Sequence, residues 1–129
     1  MVQLTHIIYY VKIVQNTVNF YEKAFSMKIN FMHESGAYAE LVAGPISLAF
    51  AQDALGAGNL PDGYYKNDLK ALPAGCEIVF TTDDVDAVIK KALQEGAVTV
   101  VPAKQKPWGQ TVAYVRDPEG ILIEIASKM

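Results

Sequence analysis

Three ionisable residues stand out by type and position: His6, Glu77 and Glu124. Each lies in a stretch where apolar and polar residues alternate, which marks a strand. Alternate residues of a strand share a face. In the opening stretch His6, Ile8, Tyr10 and Lys12 share one face. Ile7, Tyr9, Val11 and Ile13 share the other, which is more apolar and should pack on a helix. Near the end, Ile121, Ile123 and Ile125 form a core stripe, so Leu122, Glu124 and Ala126 face the other way. Glu77 shares its face with Val79 and Thr81. Three strands therefore each turn one ionisable residue away from the helix side. Two carboxyls brought close together repel, and one pKa rises unless a cation sits between them.

The elements that must position these residues repeat. Thr5 to Ile13 reads as a strand, and Asn16 is placed to cap the helix that follows. Val18, Phe20, Tyr21, Ala24 and Phe25 fall on one face of that helix. Strands are predicted at Lys28 to His33, Tyr38 to Ala43 and Ile46 to Gln52, with turns at Ser35-Gly36 and Gly44-Pro45. From Glu77 the pattern restarts with a strand to Thr82. Asp83 or Asp84 then caps a helix carrying Val85, Val88, Ile89, Ala92 and Leu93, and Gly96 ends it. Strands follow at Val98 to Val101, Gln110 to Arg116 and Ile121 to Ala126. Pro102 to Gly109 is predicted as a loop, and Asp117-Pro118-Glu119-Gly120 as a turn. Glu22-Lys23-Ala24-Phe25 in the first helix echoes Lys90-Lys91-Ala92-Leu93 in the second.

The predicted fold is α+β: two βαβββ modules related by a pseudo-twofold, their curved mixed sheet enclosing a cavity. The chain reads as one domain over 1–129, with module 1 at about 1–53, a linker at 54–75 and module 2 at about 76–129. The linker holds Gly and Pro residues and the pair Tyr64-Tyr65, and is read as a long connection.

Composition narrows the function classes. Hydrophobic residues are 51% of the 129 and charged residues 19%, enough apolar material for a continuous core. A net charge of −3 with no Lys/Arg cluster gives no field for a nucleic-acid backbone. No apolar run is long enough for a bilayer, and no signal peptide is evident. Cys76 is the only cysteine, which suits a reducing cytoplasm. There is no phosphate-cradling glycine loop and no Gly-x-Ser-x-Gly elbow.

The chain resembles the vicinal oxygen chelate superfamily, which contains glyoxalase I, extradiol dioxygenases, epimerases, fosfomycin-resistance enzymes and bleomycin-binding proteins. The residues that carry the resemblance are His6 followed by Val11, Phe20-Tyr21-Glu22-Lys23, Asp83-Asp84-Val85-Asp86-Ala87, and Asp117-Pro118-Glu119-Gly120 running into Ile123-Glu124. It covers essentially the whole chain and implies the paired-module fold. It implies that His6 and Glu124 fall on metal-ligand positions, and that Glu77 falls where metal-using members commonly have histidine. A fourth carboxylate is expected near Leu48, where no acid stands. That departure argues against a complete glyoxalase I site. A site of two histidines and one carboxylate is also lacking, because His33 is not in a matching position, which argues against ring-cleaving chemistry.

Two functions remain open. One is a glyoxalase-like lyase or isomerase acting beside a carbonyl, with His6, Glu77 and Glu124 holding a divalent metal (Zn, Mn, Ni or Mg). Glu77 and Glu124 would be its catalytic carboxylates. The other is a metal-free binding protein of the bleomycin-resistance type, its cavity lined by Tyr10, Phe50 and Trp108. Both take a small-molecule ligand, which the residues do not name. The resemblance also implies a homodimer, and exposed strand edges would need covering. Cys76 has no evident base, Arg116 reads as structural or at a subunit contact, and His33 as a surface residue.

Overall fold

The computed structural model describes residues 1–129. In chain order the elements are β1 (His6–Val11), α1 (Val14–Phe25), β2 (Ile29–Met32), β3 (Tyr38–Ala43), β4 (Ile46–Gln52), α2 (Asp53–Asn59), β5 (Ile78–Thr82), α3 (Val85–Gln94), β6 (Val98–Gln105), β7 (Thr111–Arg116) and β8 (Leu122–Ser127). They fall into two units: Met1–Glu22 with Ser26–Lys66, and Lys23–Phe25 with Asn67–Met129. Each unit is an open four-stranded mixed sheet with a βαβββ core. The strand orders, β1-β4-β3-β2 and β5-β8-β7-β6, repeat one another.

In the first unit β1 runs parallel to β4, while β3 pairs antiparallel with β4 and β2. The amphipathic stripe of α1 explains its docking: Val14, Val18 and Tyr21 are buried, and Tyr21 stacks on Phe50 of β4 at 5.0 Å. The helix starts earlier than Asn16 suggests. Ile13 is the extended residue before it, with no side-chain cap, and Thr17 bonds the Ile13 carbonyl through both its N–H and its hydroxyl, each at 3.2 Å. Asn16 therefore lies inside the first turn.

The segment after β4 is not wholly a connection, because Asp53–Asn59 forms α2. With Gly56 and Gly58 its helix propensity is low. Tertiary packing offsets that. A Cβ on Gly56 would lie 2.9 Å from both Tyr10 and Tyr64, so only glycine lets the helix approach. The Tyr64 hydroxyl donates to the Asp53 carboxylate at 2.7 Å, and its ring lies 5.1 Å from that of Tyr10.

In the second unit β5 runs parallel to β8, and β7 pairs antiparallel with β8 and β6. Asp84 caps α3 by accepting the Ala87 N–H at 3.1 Å, and Gly96 leaves it with φ 110°. Ile121, Ile123 and Ile125 form the buried stripe, and Phe25 stacks on Phe80 at 4.1 Å. β6 runs on to Gln105, through half of the expected loop. Its alternation is broken because the pairing with β7 shifts register twice, once across Pro102, which has no N–H for a ladder. All of β6 is exposed.

Arg116 organises the chain before β5. It donates to the carbonyls of Ala71 (2.8 Å), Asp68 (3.0 Å) and Leu69 (3.4 Å), and through Nε to Gly120 (2.9 Å). The Asp117 carboxylate, fully buried, accepts the N–H groups of Glu119 and Ile121 and closes the β7–β8 turn. No helix is long and apolar enough to cross a membrane.

Candidate functional site

The ionisable residues of each sheet come as a small hydrogen-bonded group beside a tyrosine. In the second unit Glu124 on β8 stands opposite Tyr114 on β7, whose hydroxyl donates to it at 2.9 Å. Glu77, just before β5, hydrogen-bonds Glu124. Partial desolvation, then that hydrogen bond and the negative charge of Glu124, hold the Glu77 carboxyl above the usual carboxylate range. Glu77 as a residue is exposed, so the neighbouring carboxylate is the firmer cause. The hydrogen bond to Glu124 comes first in raising the Tyr114 phenol, followed by burial and the charges of Glu124 and Glu77. The structure brings Glu77 and Glu124, two of the sequence-predicted site residues, into hydrogen-bond contact. The sequence reading misses Tyr114, whose only signal was its place in an alternating strand.

In the first unit His6 lies between two partners. Its Nε2 is 3.0 Å from Glu40 Oε2 and its Nδ1 is 2.7 Å from the Thr5 hydroxyl. Glu40 also accepts from the Tyr38 hydroxyl at 2.7 Å and from the Asn30 amide at 3.4 Å. Burial, then the hydrogen bond and charge of Glu40, push the Tyr38 phenol up to about 12. Glu40 escaped the sequence reading, which looked for an acid near Leu48.

Registers show why. Glu124 pairs with Val79 and with Tyr114. The position with the same neighbours in the first sheet is Ala49, which pairs with Ile8 and Glu40. Leu48 faces the core, at 6% exposure. The equivalent of Glu124 is thus Ala49 rather than Leu48, and neither is acidic. The acid of the first sheet stands one strand over, where the second sheet has Tyr114.

The donors therefore come as pairs, and no group of three or more His, Cys, Asp or Glu forms a metal cage. The chemistry of Glu77 with Glu124 fits a cation, since a positive charge would relieve the repulsion that raises Glu77. His6 would have to release Thr5 or Glu40 to ligate one.

The aromatic candidates separate. Phe50 is fully buried against Tyr21, so its ring packs helix on sheet and does not line a cavity. Tyr10 is half-buried beneath α2. Trp108 is 63% exposed, its indole N–H donating to Gln110 at 2.9 Å. A groove of about 320 Å³ beside α3, lined by Ile89, Leu93, Val101, Ala113 and Val115, lies on the helix side, opposite Tyr114 in the strand alternation.

The glyoxalase-like domain family matches residues 4–129. The chain belongs to that family. Its place in the vicinal oxygen chelate superfamily follows, and solved structures agree on the fold. A glyoxalase-related enzyme from Fulvimarina pelagi superposes with a TM-score of 0.84 at 18% identity, covering 99% of this chain and 89% of that one. A glyoxalase/bleomycin resistance protein/dioxygenase family enzyme from Burkholderia phytofirmans PsJN gives 0.80 at 17% identity, over 99% and 100%. An integron cassette protein from the mobile metagenome of V. cholerae gives 0.61 at 24% identity, over 100% and 97%. A comparison with curated proteins finds no match. At such identities the glyoxalase-like fold is shared, and function must be argued from the site.

Proposed function

We propose that this glyoxalase-like domain is a small-molecule enzyme that moves a proton at a carbon beside a carbonyl. The observation that carries it is the Glu77–Glu124 pair. Partial desolvation and the contact with Glu124 hold the Glu77 carboxyl above its ordinary range, and Tyr114 donates to Glu124. A protonated acid beside a charged base is what general acid–base catalysis needs. Glu124 would take the carbon-bound proton, and Glu77 would give its proton to the oxygen as the enolate forms. Tyr114 keeps Glu124 oriented throughout. A divalent cation (Zn, Mn, Ni or Mg) held by Glu77 and Glu124 would, when bound, polarise the substrate carbonyl.

The test is solvent-deuterium exchange into a panel of α-hydroxyaldehydes and hydroxyketones, followed by NMR, with and without each cation. Exchange that is lost in Glu124→Gln and Glu77→Gln is expected. A cation that binds only the folded state also raises the melting temperature with the logarithm of its concentration, and Glu124→Gln should remove most of that gain.

Exposed Trp108 favours a second reading, a metal-free binder of the bleomycin-resistance type. Saturable quenching of Trp108 fluorescence by a cationic drug, with no proton exchange in any substrate, would decide for it.

A further inference from the structure

We propose that Glu40 is a positioning residue that fixes the tautomer of His6, leaving Nδ1 as the ring's basic nitrogen. An ionised carboxylate only accepts hydrogen bonds. Glu40 Oε2 takes the Tyr38 hydroxyl at 2.7 Å and lies 3.0 Å from His6 Nε2, so Nε2 must bring the proton. A neutral imidazole carries one proton, so Nδ1 keeps its lone pair. The group facing Nδ1 is the Thr5 hydroxyl at 2.7 Å, which therefore donates to it. The anchor is itself fixed: Tyr38 and Asn30 hold Glu40 from its own strand and from β2.

The consequence is directional. A proton or ligand reaching His6 meets Nδ1 from the Thr5 side, after displacing one exposed hydroxyl. The Glu40 side is closed. A carboxylate behind a ring nitrogen fixes the tautomer and holds the ring plane. The use made of that nitrogen rests on His6 being a site residue, as the family resemblance implies, whereas the tautomer does not.

The test is long-range ¹⁵N–¹H correlation of the imidazoles in the full-length labelled protein at alkaline pH. The chain has 2 histidines, so assignment is direct. His33 is an internal control, because its Nδ1 accepts the Ser35 N–H at 3.0 Å and needs nothing from Glu40. The expected spectrum shows Nε2 protonated and Nδ1 unprotonated in both rings. In Glu40→Leu the two nitrogen resonances of His6 should converge while those of His33 stay. Glu40→Gln, which can still accept through its amide oxygen, should restore most of the His6 pattern. A wild-type His6 that is protonated at Nδ1 or averaged between tautomers overturns the proposal, whether or not any variant folds. So does a Glu40→Leu spectrum with His6 unchanged. Failure of proton exchange or cation binding leaves this readout untouched, so the two readings fail separately.

Discussion

Tyr114 on β7 stands directly opposite Glu124 on β8 and donates its hydroxyl at 2.9 Å. The phenol is raised by that contact, so it remains a donor across the physiological range. Tyr114→Phe should lower the proton-exchange rate about tenfold, the loss of roughly 1.4 kcal/mol expected for one hydrogen bond to a charged acceptor. An unchanged rate in the NMR exchange assay would remove Tyr114 from the mechanism.

Glu77 gives the fold a pH dependence of known sign. Its carboxyl is raised, so the folded chain holds that proton more tightly than the unfolded one. The resulting stability is full below the ordinary carboxylate range and is lost as pH rises through the raised value. Glu77→Gln removes this loss. Between about pH 4 and pH 8 its melting temperature should gain on wild type, by about 2 °C at most because the side chain is exposed. Parallel melting curves across that range would contradict the assignment.

Arg116→Met should destabilise the protein by about 3 kcal/mol, since it strands the carbonyls of Gly120 and of the Asp68–Ala71 segment. Urea unfolding measures the loss. Limited proteolysis should then cut between residues 67 and 75, and a variant as resistant as wild type would show that the guanidinium is not what holds the segment.

Phe50 and Trp108 should respond oppositely. Phe50→Ala empties a core position and should cost about 3–5 kcal/mol. Trp108→Ala should change stability by less than about 0.5 kcal/mol, because the ring is mostly in solvent. Equal losses in chemical denaturation would contradict the division between core and exposed aromatics.

A homodimer is expected at micromolar concentration. Ile7, Ile8, Ile29, Phe31, Val98 and Val100 are exposed apolar residues on strands β1, β2 and β6, at sheet edges that need covering. Pro102 and the two register shifts make β6 a poor ladder partner, so the cover is expected from side chains rather than strand addition. A monomer mass by light scattering would refute it.

Local periodicity by itself determined most of the architecture. The alternation in Tyr38–Ala43 and Ile46–Gln52, a cap at Asp83 or Asp84 and the Asp117–Gly120 turn were legible because each is set by neighbours within a few residues. So was the facing of Glu124, since Ile121, Ile123 and Ile125 leave it one side only. Tertiary structure decided the rest. Helix α2 is invisible in Asp53–Asn59 because its glycines weaken a helix that only Tyr10 and Tyr64 make worthwhile. Glu40 could not be found by looking along β4, because cross-strand register, not sequence distance, sets it beside His6, 34 positions away. Which nitrogen of His6 keeps its lone pair is settled the same way, by a carboxylate that the chain brings back only when the sheet forms.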